Sequence, residues 1–124
     1  MLTGPQAFAA KPRKRPSLLG GTFAEGVLSG DPTPDGATVW TRLSDVEGRG
    51  TVELEVARDR GFRKVVARGL IRTSPTIDYS VKSRVVNLSP HQEYFYRFTT
   101  RGSESPIGRF RTCLLYTSPS PRDS

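Results

Sequence analysis

The sequence predicts an all-β protein, an antiparallel β-sandwich of about seven short strands. Three observations carry that prediction. Apolar and polar residues alternate along short runs, as Val52, Leu54 and Val56 do in TVELEVAR, which is the period of a strand with one buried face. Such runs recur about every ten residues, separated by turns rich in Gly, Pro and Asp. No stretch sustains apolar residues at i, i+3 and i+4, so no amphipathic helix is expected.

At 124 residues the chain has the length of one domain. Hydrophobic residues make up 35%, with 12 Gly and 10 Pro, so it buries one modest core and leaves polar ends. Leu, Val and the aromatics concentrate between residues 23 and 115. The organisation read from this is a flexible basic segment over 1–21, a sandwich over 22–112 and a disordered tail over 113–124.

Taken in order, KPRKRPSLLGG at residues 11–21 is expected to be extended and mobile, because Pro12 and Pro16 deny helix to their predecessors. Thr22–Ser29 reads as a first strand with Phe23, Val27 and Leu28 apolar. Asp31, Pro32, Thr33, Pro34, Asp35 and Gly36 read as a turn. Ala37–Leu43 alternates, with Ala37, Val39, Thr41 and Leu43 on one face and Thr38, Trp40 and Arg42 on the other.

Thr51–Arg58 alternates most cleanly: Val52, Leu54 and Val56 point in, while Glu53, Glu55 and Ala57 point out. Asp59–Phe62 is a turn ending in an aromatic plug, and Val65–Leu70 a shorter, more exposed strand. Asp78–Leu88 places Tyr79, Val81, Ser83 and Val85 on one side until the pattern shifts at Val85-Val86. Tyr94, Tyr96 and Phe98 alternate next, and Ile107–Thr112 closes the domain with Ile107 and Phe110 available for packing.

Leu88-x-Pro90-x-x-x-Tyr94 fits a tyrosine corner, in which the hydroxyl bonds back to the chain just upstream. The element resembles the turn and penultimate strand of fibronectin type III domains, so the sandwich is expected to be fibronectin type III- or immunoglobulin-like.

Chemistry needs converging groups, and the inventory is thin. The single Cys113 excludes an intrachain disulfide and a cysteine-cluster zinc site. The one histidine, His91, follows Pro90 and reads as a solvated turn residue. Asp31 and Asp35 are candidate calcium ligands, but an EF-hand loop needs further ligands that this spacing does not provide, and they read as turn formers. No phosphate-binding glycine motif occurs. The expectation is therefore no catalytic, cofactor-binding or metal-binding residue.

The net charge is +7, and Lys11, Arg13, Lys14 and Arg15 supply much of it with no acid among residues 1–21. Such an arm could bind phosphate backbones; a linker or processing segment is the favoured reading. Tyr94, Phe95, Tyr96 and Phe98 beside Arg97, Arg101, Arg109 and Arg111 could form a nucleic-acid surface. On a strand, however, the aromatics form the core face and the arginines the opposite one. No nucleic acid is expected, nor a membrane span, since no run of 18 apolar residues exists. A monomer is expected.

The stretches FAEGVLSGDPTPDGATVWTRL, VELEVARDRGFRKVVARG, IDYSVKSRVVNLSPHQEYFYRF and SPIGRFRT resemble, in that order, the N-terminal domain of the alkaline phosphatase D family (PhoD-like phosphatases). Leu28 departs from the family's usual alanine. The resemblance implies an accessory, non-catalytic sandwich preceding a metallophosphatase domain, which would be its partner. That domain hydrolyses phosphate esters with iron and calcium; its ligands follow the Gly-x-x-Arg-Thr exit, so no catalytic residue carries over. Export by the twin-arginine route is also implied, giving a secreted, periplasmic or cell-surface protein in a bacterium. Ala7-Phe8-Ala9 reads as the stub of a signal peptide.

After Thr112 the string CLLYTSPSPRDS resembles the translation of a transposon-end sequencing adapter. The expectation is that residues 113–124 do not belong to the natural frame, that the gene is truncated, and that Cys113 is no nucleophile. The alternative function is a free-standing fibronectin-like binding or adhesion module.

Overall fold

The computed structural model describes residues 15–115, in which two antiparallel sheets form a sandwich that does not close into a barrel. β1 (Val27–Thr33) and β2 (Gly36–Arg42) form a hairpin, and β3 (Gly50–Ala57) and β4 (Val65–Thr73) form a second. A single 3-10 turn, Pro75–Ile77, leads to β5 (Ser80–Val85). β6 (Glu93–Thr100), the two-residue β7 (Ser103–Glu104) and β8 (Gly108–Arg111) complete the chain. The smaller sheet has the order β1-β2-β5; in the larger, β4-β3-β6-β7, β8 also pairs with β6.

The alternation read from the sequence decides which side chains meet between the sheets. Ala37, Val39, Val81 and Val85 of the small sheet face Val52, Leu54, Val56, Tyr96 and Phe98 of the large one. Val39, Val52, Val56, Val81 and Phe98 are completely buried. Burying each contributes about 1.5–3 kcal/mol. The rings of Tyr94 and Phe110 lie 5.7 Å apart, and Tyr96 meets Phe98 edge-on at 6.1 Å.

The tyrosine corner is present. The Ser89 backbone N–H donates to the Tyr94 hydroxyl at 2.9 Å. Thr112, 1% exposed, closes the same turn: its hydroxyl donates to Ser89 O at 2.6 Å and accepts from Gln92 N at 3.0 Å. The sequence made Thr112 the last residue of the domain; in the fold it is a buried clasp.

Several boundaries differ from the sequence reading, each for a local reason. The first strand runs over Val27–Thr33 rather than Thr22–Ser29, because residues 23–26 form a turn closed by Gly26 N donating to Phe23 O. Asp31 and Pro32 lie inside β1 at an irregularity of register between Gly30 and Thr33, so the turn itself is only Pro34-Asp35. The exposed strand is longer than Val65–Leu70, since β4 keeps pairing with β3 to Thr73. β7 brings the strand total among the described residues to eight. Ile107 precedes β8 and is exposed, leaving Phe110 as the packed residue of that segment.

Glu53, Glu55 and Ala57 do point away from the sandwich interior, yet they are 2%, 1% and 0% exposed. β3 is a central strand, flanked by β4 and β6, and the neighbouring side chains close over it. The described part of the basic N-terminal segment is likewise ordered into the fold. Leu18 is buried, its N–H donates to Thr51 O, and its carbonyl accepts from Arg101 N at 2.9 Å. Lys11, Arg13, Lys14 and Ala7-Phe8-Ala9 lie outside the described residues, as do residues 116–124.

Candidate functional site

The residues that carried candidate chemistry do not converge. Asp31 takes a positive φ of 48° within β1, and its carbonyl accepts from Arg84 Nη1 at 2.6 Å. The Asp35 carboxylate accepts from the Thr33 hydroxyl at 2.8 Å, while its carbonyl accepts from Leu88 N at 2.9 Å. Asp31 is thus tied to the Arg84 side chain, and Asp35 to Thr33 and to the Leu88 backbone. His91 sits at φ 49° in the turn before β6, its backbone N–H donating to Cys113 O at 2.8 Å. The Cys113 thiol donates to Pro32 O at 3.3 Å.

Among the described residues no three His, Cys, Asp or Glu side chains come together as a metal ion would require. The buried carboxylates Glu53 and Glu55 are engaged with Thr99, Arg68 and Arg97, so this donor set does not fit iron or calcium. Also among the described residues, no helix is long and apolar enough to cross a membrane.

The aromatic and basic residues of β6 separate as alternation demands. Tyr94, Tyr96 and Phe98 enter the core, and Arg97 stands on the outer face. There Glu55 is held between two arginines, with Oε2 2.9 Å from Arg68 Nε and Oε1 2.9 Å from Arg97 Nε. The Arg97 guanidinium also lies 4.2 Å from the ring centre of Phe62, and Arg60 lies over Phe95 at 5.1 Å. Glu53 receives the Thr99 hydroxyl at 3.4 Å. This cover of the large sheet escaped the sequence reading, because Glu55, Arg68 and Arg97 are distant in the chain and meet only through register. The nearest sequence signal was the pair of acids inside the most regular strand.

Two shifts in titration mark local geometry. Asp59 is held below the ordinary carboxylate range by the backbone N–H groups of Lys64 and Arg63, at 2.8 and 3.0 Å. Burial pushes the Tyr96 phenol up, opposed by a hydrogen bond with the Ser29 side chain.

The outer face of the small sheet is different in character. Leu28, Trp40 and Lys82 form one row across β1, β2 and β5. Leu28 is 67% exposed, Trp40 is half-buried, and the Lys82 ammonium lies over the indole at 5.6 Å. The indole covers Gly30, where a Cβ would come within 3.2 Å of Trp40 Cζ3. Arg42 flanks the row, bridging Glu25 and Asp78. A shallow hollow lined by Glu25, Leu28, Trp40 and Arg42 opens here. The sequence placed Trp40 on the opposite face from Val39 and left open what covers it.

The family described as "PhoD-like phosphatase, N-terminal domain" matches residues 9–114. Alkaline phosphatase D of Bacillus subtilis (strain 168) is 37% identical over 105 residues, covering 78% of the chain and 18% of that protein. The chain thus spans less than a fifth of the length of this curated relative. A solved structure of PhoD superposes with a TM-score of 0.71 at 36% identity, covering 74% of the chain and 19% of that structure. The sensor domain of the anti-sigma factor RsgI4 of Pseudobacteroides cellulosolvens has a TM-score of 0.60 at 16% identity, covering 86% and 87%. That likeness concerns the fold alone.

Proposed function

The chain belongs to the family of PhoD-like phosphatase N-terminal domains, and on that premise we propose that it is the non-catalytic accessory β-sandwich of an exported phosphatase. In this reading a metal-dependent domain that hydrolyses phosphate esters follows the sandwich in the same polypeptide. The observation that carries it is the match over residues 9–114 to an N-terminal domain, coupled with coverage of only 18% of the enzyme relative. Supporting it, Asp35 and Asp59 are engaged in turns and Glu55 in an ion-pair bridge across the large sheet, as a scaffold requires.

The reading includes iron and calcium as the metals of the following domain, twin-arginine export and a fibronectin-like ancestry for the sandwich. All three come from the family resemblance, and the tyrosine corner at Ser89–Tyr94 supports the last.

Phosphatase assays test the function. The 124-residue chain, supplied with iron and calcium, is expected to hydrolyse neither p-nitrophenyl phosphate nor its diester, whereas the full-length product of the genomic locus does. Metal-dependent turnover by the 124-residue chain would overturn the proposal.

A further inference from the structure

We propose that the outer face of the three-stranded sheet, centred on Leu28 and Trp40, is where this sandwich docks onto the catalytic domain that follows it. The inference rests on the accessory-domain reading above and goes beyond it by naming the surface.

Three observations lead there. The first is the route of the chain. Thr112 is clasped into the fold; Cys113 N donates to Thr33 O at 3.0 Å and Cys113 O accepts from His91 N at 2.8 Å, so the backbone leaves between the end of β1 and the turn before β6. β1 is an edge strand of the small sheet and carries Leu28 five residues before Thr33. At about 3.3 Å per strand residue, the exit lies about 17 Å from that side chain. A domain beginning there starts beside an edge strand of the small sheet.

The second is that the two outer faces are not equivalent. The large sheet shields its central strand with its own side chains, leaving Glu53 and Glu55 at 2% and 1% exposure. The exposed apolar side chains of the large sheet, Val66 and Leu70, stand on β4, its far edge from β8. The small sheet instead presents an exposed leucine on β1 beside a half-buried tryptophan on β2, with charges at the rim supplied by Arg42, Glu25 and Lys82. An apolar centre with a polar rim is the anatomy of an interface, and tryptophan is among the side chains enriched at its energetic centre.

The third is the size of the patch. One leucine and one indole face would hold a free partner weakly. A domain tethered through a rigid exit is present at an effective concentration on the order of millimolar, which a small patch can use.

Hydroxyl-radical footprinting of the 124-residue chain and of the full-length locus product provides the test. Leu28 and Trp40 are expected to be labelled in the 124-residue chain and to lose that labelling in the full-length protein. Val66 and Leu70, on the large sheet's outer side, should be labelled in both. Leu28→Glu, at an exposed position that leaves the core intact, should restore labelling of Trp40 in the full-length protein. Equal labelling of Leu28 and Trp40 in both proteins overturns the docking face while leaving the accessory-domain reading intact. Protection in the isolated chain that grows with concentration, alongside dimers in sedimentation, assigns the face to a second copy and also overturns it. A locus that encodes no metallophosphatase domain after residue 112 removes the premise, and both readings fall.

Discussion

The hydroxyl of Tyr94 accepts the backbone N–H of Ser89 at 2.9 Å, binding the start of β6 to the turn that feeds it. Thr112 completes the same knot from the far end of β8 by donating to Ser89 O. One turn therefore fixes both the entry to β6 and the point where the chain leaves the sandwich. Tyr94→Phe keeps the ring against Phe110 and removes only the acceptor. It is expected to lower stability by about 1–2 kcal/mol in urea unfolding, with an unchanged m-value.

Thr112→Val is nearly isosteric, yet it strips a buried hydroxyl that both donates and accepts. The expected cost is about 1–3 kcal/mol, because Ser89 O and Gln92 N lose a partner away from water. Hydrogen exchange should rise at Gln92 before it rises in β3. Equal acceleration throughout would mean that Thr112 has no special hold on this turn.

Gly108 lies against Tyr96 so closely that a Cβ would stand 2.5 Å from the ring's Cζ. Gly108→Ala must push the ring or β8 aside, and overpacking of this kind costs about 1–3 kcal/mol. Thermal melting should show the loss, and the same substitution at Gly69, where a Cβ meets no atom within 4 Å, should not.

Glu55→Gln removes the charge that joins Arg68 to Arg97. An enclosed pair broken on one side costs about 3–5 kcal/mol; here Arg68 is 45% exposed, so about 2–3 kcal/mol is expected. Chemical denaturation measures it, and an unchanged midpoint would mean that water already satisfies the two arginines.

The titration shifts set two pH windows. Tyr96 has a raised phenol pKa, so its contribution is complete below the ordinary value of 10.0 and is lost as pH climbs through the raised value. Asp59 has a lowered carboxyl pKa, so its contribution is complete above the ordinary value of 3.8 and is lost as pH falls through the lowered one. Melting temperatures recorded across both ends should fall less at the alkaline end in Tyr96→Phe and less at the acid end in Asp59→Asn.

The genomic DNA downstream of codon 112 is expected to diverge from the string Cys113–Ser124 and to encode clusters of Asp, Asn and His. An uninterrupted natural frame through CLLYTSPSPRDS would retain that string as part of the protein.

By itself the sequence determined the sandwich, the family and the inward row of Tyr94, Tyr96 and Phe98, because a period of two and a Leu-x-Pro-x-x-x-Tyr turn are local properties of the chain. The same locality explains why Asp35 and His91 read as turn residues, while Asp31, read the same way, lies within β1. The tertiary structure decided the rest. Glu55 reads as a solvent-facing residue until strand register brings Arg68 and Arg97 beside it, 13 and 42 positions away. Trp40 reads only as opposite Val39 until β1 and β5 supply Leu28 and Lys82 on the same row. Alternation tells which side of a strand a residue takes; only the neighbouring strands, paired over long range, determine whether that side is water, an ion pair or a surface left for another domain.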